Sequence, residues 1–168
     1  MFDLLDFRNE KDRFFASHVQ SPLTMKQKRN FKGLVYFPES PDLRLEALVE
    51  RGSEQVEVRI PTSTGAVQVY KRYGKFCFQV DGQEAELTIF ASLQGYFLPF
   101  VDSLASRETY PAGRYLEPQP LGKDRFLIDF NLAYNPYCAY NDQWSCPLTP
   151  PENRINVPVR AGEKIFSH

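Results

Sequence analysis

Between Leu43 and Ala91 the chain alternates apolar and polar residues with a period of two, and this pattern limits its fold more than any other feature. Leu43, Leu45 and Ala47 alternate with Arg44 and Glu46, and Val56, Val58 and Ile60 with Glu57 and Arg59. Val67 and Val69 alternate with Gln68 and Tyr70, then Phe76, Phe78 and Val80 with Cys77, Gln79 and Asp81, then Leu87, Ile89 and Ala91 with Thr88 and Phe90. Successive side chains of an extended backbone point to opposite faces, so each run offers one apolar face to a core. Asp81-Gly82 joins two such runs, and both central residues of a type I′ hairpin turn need positive φ. Thr64-Gly65 and Tyr73-Gly74 mark further turns. Leu34 to Phe37, Tyr96 to Val101, Arg114 to Leu116 and Phe126 to Phe130 are predicted to add strands. Many short strands at close spacing predict a mainly β fold, an antiparallel barrel-like or sandwich domain with one or two N-terminal helices. The barrel-like form is preferred.

The helices belong to residues 1–31. Leu4, Phe7 and Phe14 share one face of a helix over residues 3–17, with Asp3 as its cap. Ser21-Pro22 reads as a second helix start, since serine caps and proline at the first helical position loses no needed donor. Lys26, Lys28, Arg29 and Lys32 read as a solvated face. At 168 residues the chain is a single domain over 1–168, and 42% hydrophobic residues supply a sizeable core. A formal net charge of −1 leaves no basic footprint for nucleic acid or an anionic membrane. No apolar run has the length to span a bilayer. The start, MFDLLDFRNEKDRFF, lacks the form of a signal peptide, so a cytoplasmic location is expected.

The stretch Asp129–Lys164 has a different character. It is dense in proline, asparagine and aromatic residues. Pro136, Pro147, Pro150 and Pro151 fix φ and bias each preceding residue to extended backbone. A stiff loop with polar-tipped aromatics is more than a connection, and it is predicted to form one wall of a pocket. The other wall is assigned to Thr109–Pro118, because each segment sets arginine beside small residues and aromatics. Arg114 and Arg160 suit bidentate contact to an anionic ligand, with Arg114 as the contact if the ligand is anionic, and they suit an internal salt bridge to Asp102, Glu108 or Glu163 equally well. Asp129 and Asn131, two apart in a strand, are expected to share a face and supply acceptors together with Glu152 and Asn153. Tyr110, Tyr134 and Trp144 are expected to cover apolar parts of the ligand.

Cys138 and Cys146 have no partner set for zinc, because the two histidines, His18 and His168, lie near the termini. They read as reduced thiols, as does Cys77, and no metal or cofactor is expected. No P-loop, dinucleotide fingerprint, HExxH or G-x-S-x-G is present. The leading expectation is a module that binds a small polar or anionic molecule. A carboxylate-dependent, hydrolase-like enzyme and a structural or protein-interaction domain are the alternatives.

AYNPYCAYN, then SCPL-x-PPEN-R, then P-V-R-AGEK, together with TYPAGRYLEP at Thr109–Pro118, resemble a bacterial and archaeal family known as domain of unknown function 1684. Thr149, Ile155 and Asn156 depart from its pattern, standing where proline, leucine and proline are expected. The resemblance implies no reaction.

Overall fold

A computed structural model describes residues 1–52 and 55–167. Two α-helices, α1 (Leu4–Ser17) and α2 (Met25–Asn30), precede Gly33, and strands dominate the rest. The strands are β1 (Arg44–Leu48), β2 (Glu50–Arg51), β3 (Glu57–Pro61), β4 (Val67–Val80), β5 (Gln83–Ser92), β6 (Gly95–Phe100), β7 (Arg114–Leu116), β8 (Gln119–Gly122) and β9 (Arg125–Asp129). One sheet runs β1-β9-β8 and the other β2-β4-β5-β6-β7, with β3 also on β4. All these pairings are antiparallel. The sheets face each other across one core without closing into a barrel. No helix among the described residues is long and apolar enough to cross a membrane.

The alternation reads out directly at Phe76, Phe78 and Val80, which are buried while Cys77 and Gln79 face out. Asp81 (φ 52°) and Gly82 (φ 80°) form the expected turn between β4 and β5. Aromatic contacts join the sheets: Tyr73 and Tyr96 set their edges against Phe126 at 5.5 and 4.9 Å, and Phe78 stacks on Phe130 at 5.1 Å. Val157, Val159 and Ala161 of the C-terminal stretch complete this core.

Five local expectations are corrected. Tyr73-Gly74 is no turn: β4 runs through it with a bulge, because a side chain at Gly74 would come within 2.6 Å of the Glu50 carbonyl on β2. Leu34–Phe37 forms no strand and makes one bridge, Tyr36 to Glu163. Phe90 and Thr88 do not face water, since the Pro151–Asn153 turn covers the second face of β5, where Asn153 bonds Thr88. Val67 and Val69 are half exposed, so the early part of β4 has no covered apolar face. Finally, α2 starts at Thr24, whose side chain accepts from Gln27 N in a capping box, while the Ser21 hydroxyl donates to Phe15 O and accepts from Leu23 N.

Helix α1 docks through a face that the apolar pattern did not mark. Phe15 is its buried residue and Phe7 is exposed. Arg8, Lys11, Asp12 and Phe15 share the inward face at helical spacing. Arg8 donates to the carbonyls of Phe37 and Asn131, Lys11 pairs with buried Glu163, and Asp12 accepts from Leu34 N. Asp3 caps the helix as expected.

Candidate functional site

The two sequence motifs meet. Tyr115 and Tyr134 form an antiparallel bridge, with N–H to carbonyl distances of 2.8 and 3.1 Å. On one side of this junction lies the core, and on the other lies a pocket.

Arg114 faces the core. It is 1% exposed, and its guanidinium donates to the carbonyls of Val159 (2.9 Å), Glu163 (3.1 Å) and Ala161. Asp102, also buried, lies 3.6 Å from it. The Asp102 carboxylate in turn accepts from Thr109 Oγ1 and Val159 N, both at 2.8 Å. Burial lowers the Arg114 pKa to about 10, against the opposing pull of Asp102 and Glu163, which leaves it cationic at neutral pH. Of the two roles open to Arg114, the internal one holds: it is a strut beside Asp102 that ties β7 to the C-terminal stretch, and it does not face a ligand. Arg160 is exposed.

The other expected site residues are dispersed. The strand stops at Asp129, so Asp129 and Asn131 do not share a strand face. Instead Asp129 caps the Phe130–Leu132 turn, accepting from Asn131 N and Nδ2, and lies 3.7 Å from Arg44. Asn131 pairs both ways with Ser40 backbone at 2.8 and 2.9 Å. Glu152 takes a bidentate contact from Arg72 and one from the Thr88 hydroxyl. Asn153, fully buried, donates to the carbonyls of Thr88 and Pro99. Trp144 Nε1 donates to Pro22 O, which fastens the loop to the N-terminal segment. Tyr110 points its hydroxyl at Cys138. These residues hold the loop in place through bonds within the chain.

Tyr134 does line a pocket, of about 290 Å³. Its aromatic wall is a run of rings. Tyr70 stacks on Phe97 at 5.3 Å, Phe97 meets Tyr115 edge-on at 4.8 Å, and Tyr115 meets Tyr134 at 5.9 Å and 89°. Among the described residues Glu117 is the one formally charged residue of its lining, and the Tyr134 hydroxyl donates to it. Burial, then the Glu117 carboxylate, pushes the Tyr134 phenol up, so it stays protonated and donates. The Tyr115 hydroxyl donates to Pro147 O, so Pro147 closes the pocket from the 129–164 stretch. Sequence reasoning missed Glu117 and Tyr115. Their signal was present: they stand two apart at the end of β7, which sets them on one side of the chain.

A larger opening of about 950 Å³ lies where β1 and the later part of β4 part company. Its lining mixes Glu46, Glu50, Arg51, Lys75, Glu86 and Asp124 and includes neither motif. No group of three or more His, Cys, Asp or Glu residues placed to hold a metal occurs among the described residues.

The family model described as a protein of unknown function (DUF1684) matches residues 29–164, which includes both segments that build the pocket. The chain belongs to the DUF1684 family. It is also similar to an archaeal protein, the uncharacterized product of gene locus rrnAC0354 of Haloarcula marismortui, known from a solution NMR structure. The two are 38% identical, the match covers 96% of this chain and 91% of the other, and the TM-score is 0.73. No functionally curated protein matches the chain. In this family member Thr149, one of the departures from the expected pattern, is buried and donates to Ala112 O. That bond is one a proline there would not make.

Proposed function

We propose that this DUF1684 member is a small-molecule binding domain whose ligand is a small polar organic cation held in the Tyr115–Tyr134 pocket. The observation that carries this reading is the convergence of the two motif segments on one aromatic cavity with a carboxylate at its edge. Ring faces carry negative quadrupole potential, and a cation within about 6 Å of several of them is attracted to each. Glu117 adds a formal charge of the same sign. An anionic ligand has little support here, because Arg114 is turned into the core and no cationic side chain among the described residues lines the cavity. At the small end of the usual range of roughly 300–1,000 Å³, the volume suits a ligand of few heavy atoms.

The carboxylate-enzyme reading is weaker. Asp129 and Glu152 are each engaged by an arginine and by neighbouring backbone or hydroxyl groups. General acid–base chemistry needs a carboxyl group free to reach a substrate proton.

A thermal-shift panel tests the proposal, using choline and small amines, neutral polyols, and phosphate and dicarboxylates. At about a hundredfold excess over Kd a ligand adds about 2.7 kcal/mol. At about 2–4 °C per kcal/mol for a chain of this size, that raises Tm by about 5–11 °C. Cations are expected to give the shift, and Glu117→Gln to remove most of it with the fold intact. Stabilisation by the anions alone would overturn the reading.

A further inference from the structure

The thiols of the 129–164 stretch take no part in the pocket, yet they form a built pair. Cys138 sits in the Tyr137–Ala139 turn, half-buried, and its backbone N–H donates to Cys146 Sγ at 3.3 Å. Cys146 is 7% exposed and is clamped to the loop between β3 and β4. Its N–H donates to Ser63 Oγ at 3.1 Å, and its carbonyl accepts from Ser63 N at 2.9 Å. From the other side the Tyr110 hydroxyl reaches Cys138 Sγ at 3.8 Å and Cys138 O at 3.5 Å. Each sulfur thus receives one donor, Cys138 Sγ from Tyr110 and Cys146 Sγ from the Cys138 N–H, and Cys138 is the less buried residue of the pair.

We propose that Cys138 is an oxidation site for hydroperoxides, with Cys146 as its resolving thiol. The Cys138 thiolate attacks one peroxide oxygen. An S–O bond forms, the O–O bond breaks, and the alcohol or water leaves with a proton. Cys146 sulfur then attacks Cys138 sulfur, the S–S bond forms, the S–O bond breaks, and hydroxide departs as water with the Cys146 proton. Two thiols are oxidised to a disulfide and one hydroperoxide is reduced to an alcohol and water. A small thiol or dithiol reductant restores the pair.

The electrostatics agree with the geometry. The titratable groups facing Cys138 are Cys146 and Tyr110, with Tyr115 close by, and all three are neutral hydrogen-bond donors or bystanders. The Cys146 thiol hydrogen bond, then those of Tyr110 and Ser63, outweigh burial and lower Cys138 to about 6. Cys146 is pushed up by the neighbouring Cys138 sulfur and by burial. Cys77 is the internal control. It is exposed, but burial of its sulfur and the Glu84 and Glu86 carboxylates raise it. At neutral pH Cys138 is therefore mainly thiolate, while Cys77 stays mainly thiol. Lower basicity makes a thiolate less nucleophilic, which offsets part but not all of the gain in thiolate fraction, so a net advantage remains for the less accessible sulfur.

Peptide mapping of the full-length wild-type protein after one equivalent of hydrogen peroxide is the test. The expected result is a Cys138–Cys146 disulfide with Cys77 still a thiol. Iodoacetamide should label Cys138 faster than Cys77 at pH 7, with a midpoint near pH 6. In Cys146→Ser, dimedone should trap a sulfenic acid on Cys138. Oxidation of Cys77 first, or a Cys138 that goes to sulfinic acid in the wild type while Cys146 stays reduced, would overturn the proposal. So would a labelling midpoint at or above the ordinary thiol range. If a serine variant fails to fold, the wild-type map and pH profile decide alone.

Discussion

Replacing Arg114 with lysine should destabilise the fold and leave ligand binding unchanged. Lysine keeps the charge beside Asp102 but loses the planar fork that reaches three carbonyls at once, those of Val159, Ala161 and Glu163. One ammonium group satisfies about one of these in the same space, which strands about two buried acceptors. Each unpaired buried acceptor costs about 1–3 kcal/mol, so the loss is about 2–6 kcal/mol, centred near 4. For a chain of this size that lowers Tm by about 8–16 °C. Urea unfolding followed by the fluorescence of Trp144, the one tryptophan, measures it. A variant within about 0.5 kcal/mol of wild type would refute the strut assignment, since that is what an ordinary surface substitution costs. A variant that stays stable yet loses ligand affinity would return Arg114 to the binding site.

Asn153→Ala should cost about 2–4 kcal/mol in urea unfolding, because three buried backbone partners on β5 and β6 lose their bonds at once. Gly74→Ala should cost about 1–3 kcal/mol in the same assay, as its methyl group would press on Glu50 O and on a Val49 methyl 2.7 Å away. Lys11→Met leaves the buried Glu163 carboxylate without its cation. It should loosen α1, lowering stability by about 1–3 kcal/mol and raising protease sensitivity between Ser17 and Gly33.

Much of the sheet was legible because its signal is local. Phe76–Val80 and Leu87–Ile89 alternate, and Asp81-Gly82 names its own turn. What failed was decided by partners distant in sequence. Nothing near Thr88 announces that Glu152 and Asn153 will bond it from the far face of β5. Nothing near Gly74 announces the Glu50 carbonyl. The inward face of α1 is chosen by Glu163, so a search for apolar spacing selects Leu4, Phe7 and Phe14 and passes over Arg8 and Lys11. At the site, the meeting of the two motifs was legible from their shared composition, and Tyr134 lines the cavity beside their junction. The role of Arg114 was not legible, because an arginine beside small residues reads alike whether it bonds a ligand or three carbonyls of its own chain. Glu117 was overlooked because it lies at the end of a strand and looks like an ordinary surface carboxylate.

Amide chemical-shift mapping with choline as the probe reports whether the Tyr115–Tyr134 junction holds a cation. The amides of Tyr96, Phe97, Tyr115, Glu117 and Tyr134 should move together along one saturation curve, and that response should vanish in Glu117→Gln. Shifts confined to Leu48, Glu50 and Lys75 at the larger opening, or none at the junction up to saturating probe, would contradict it.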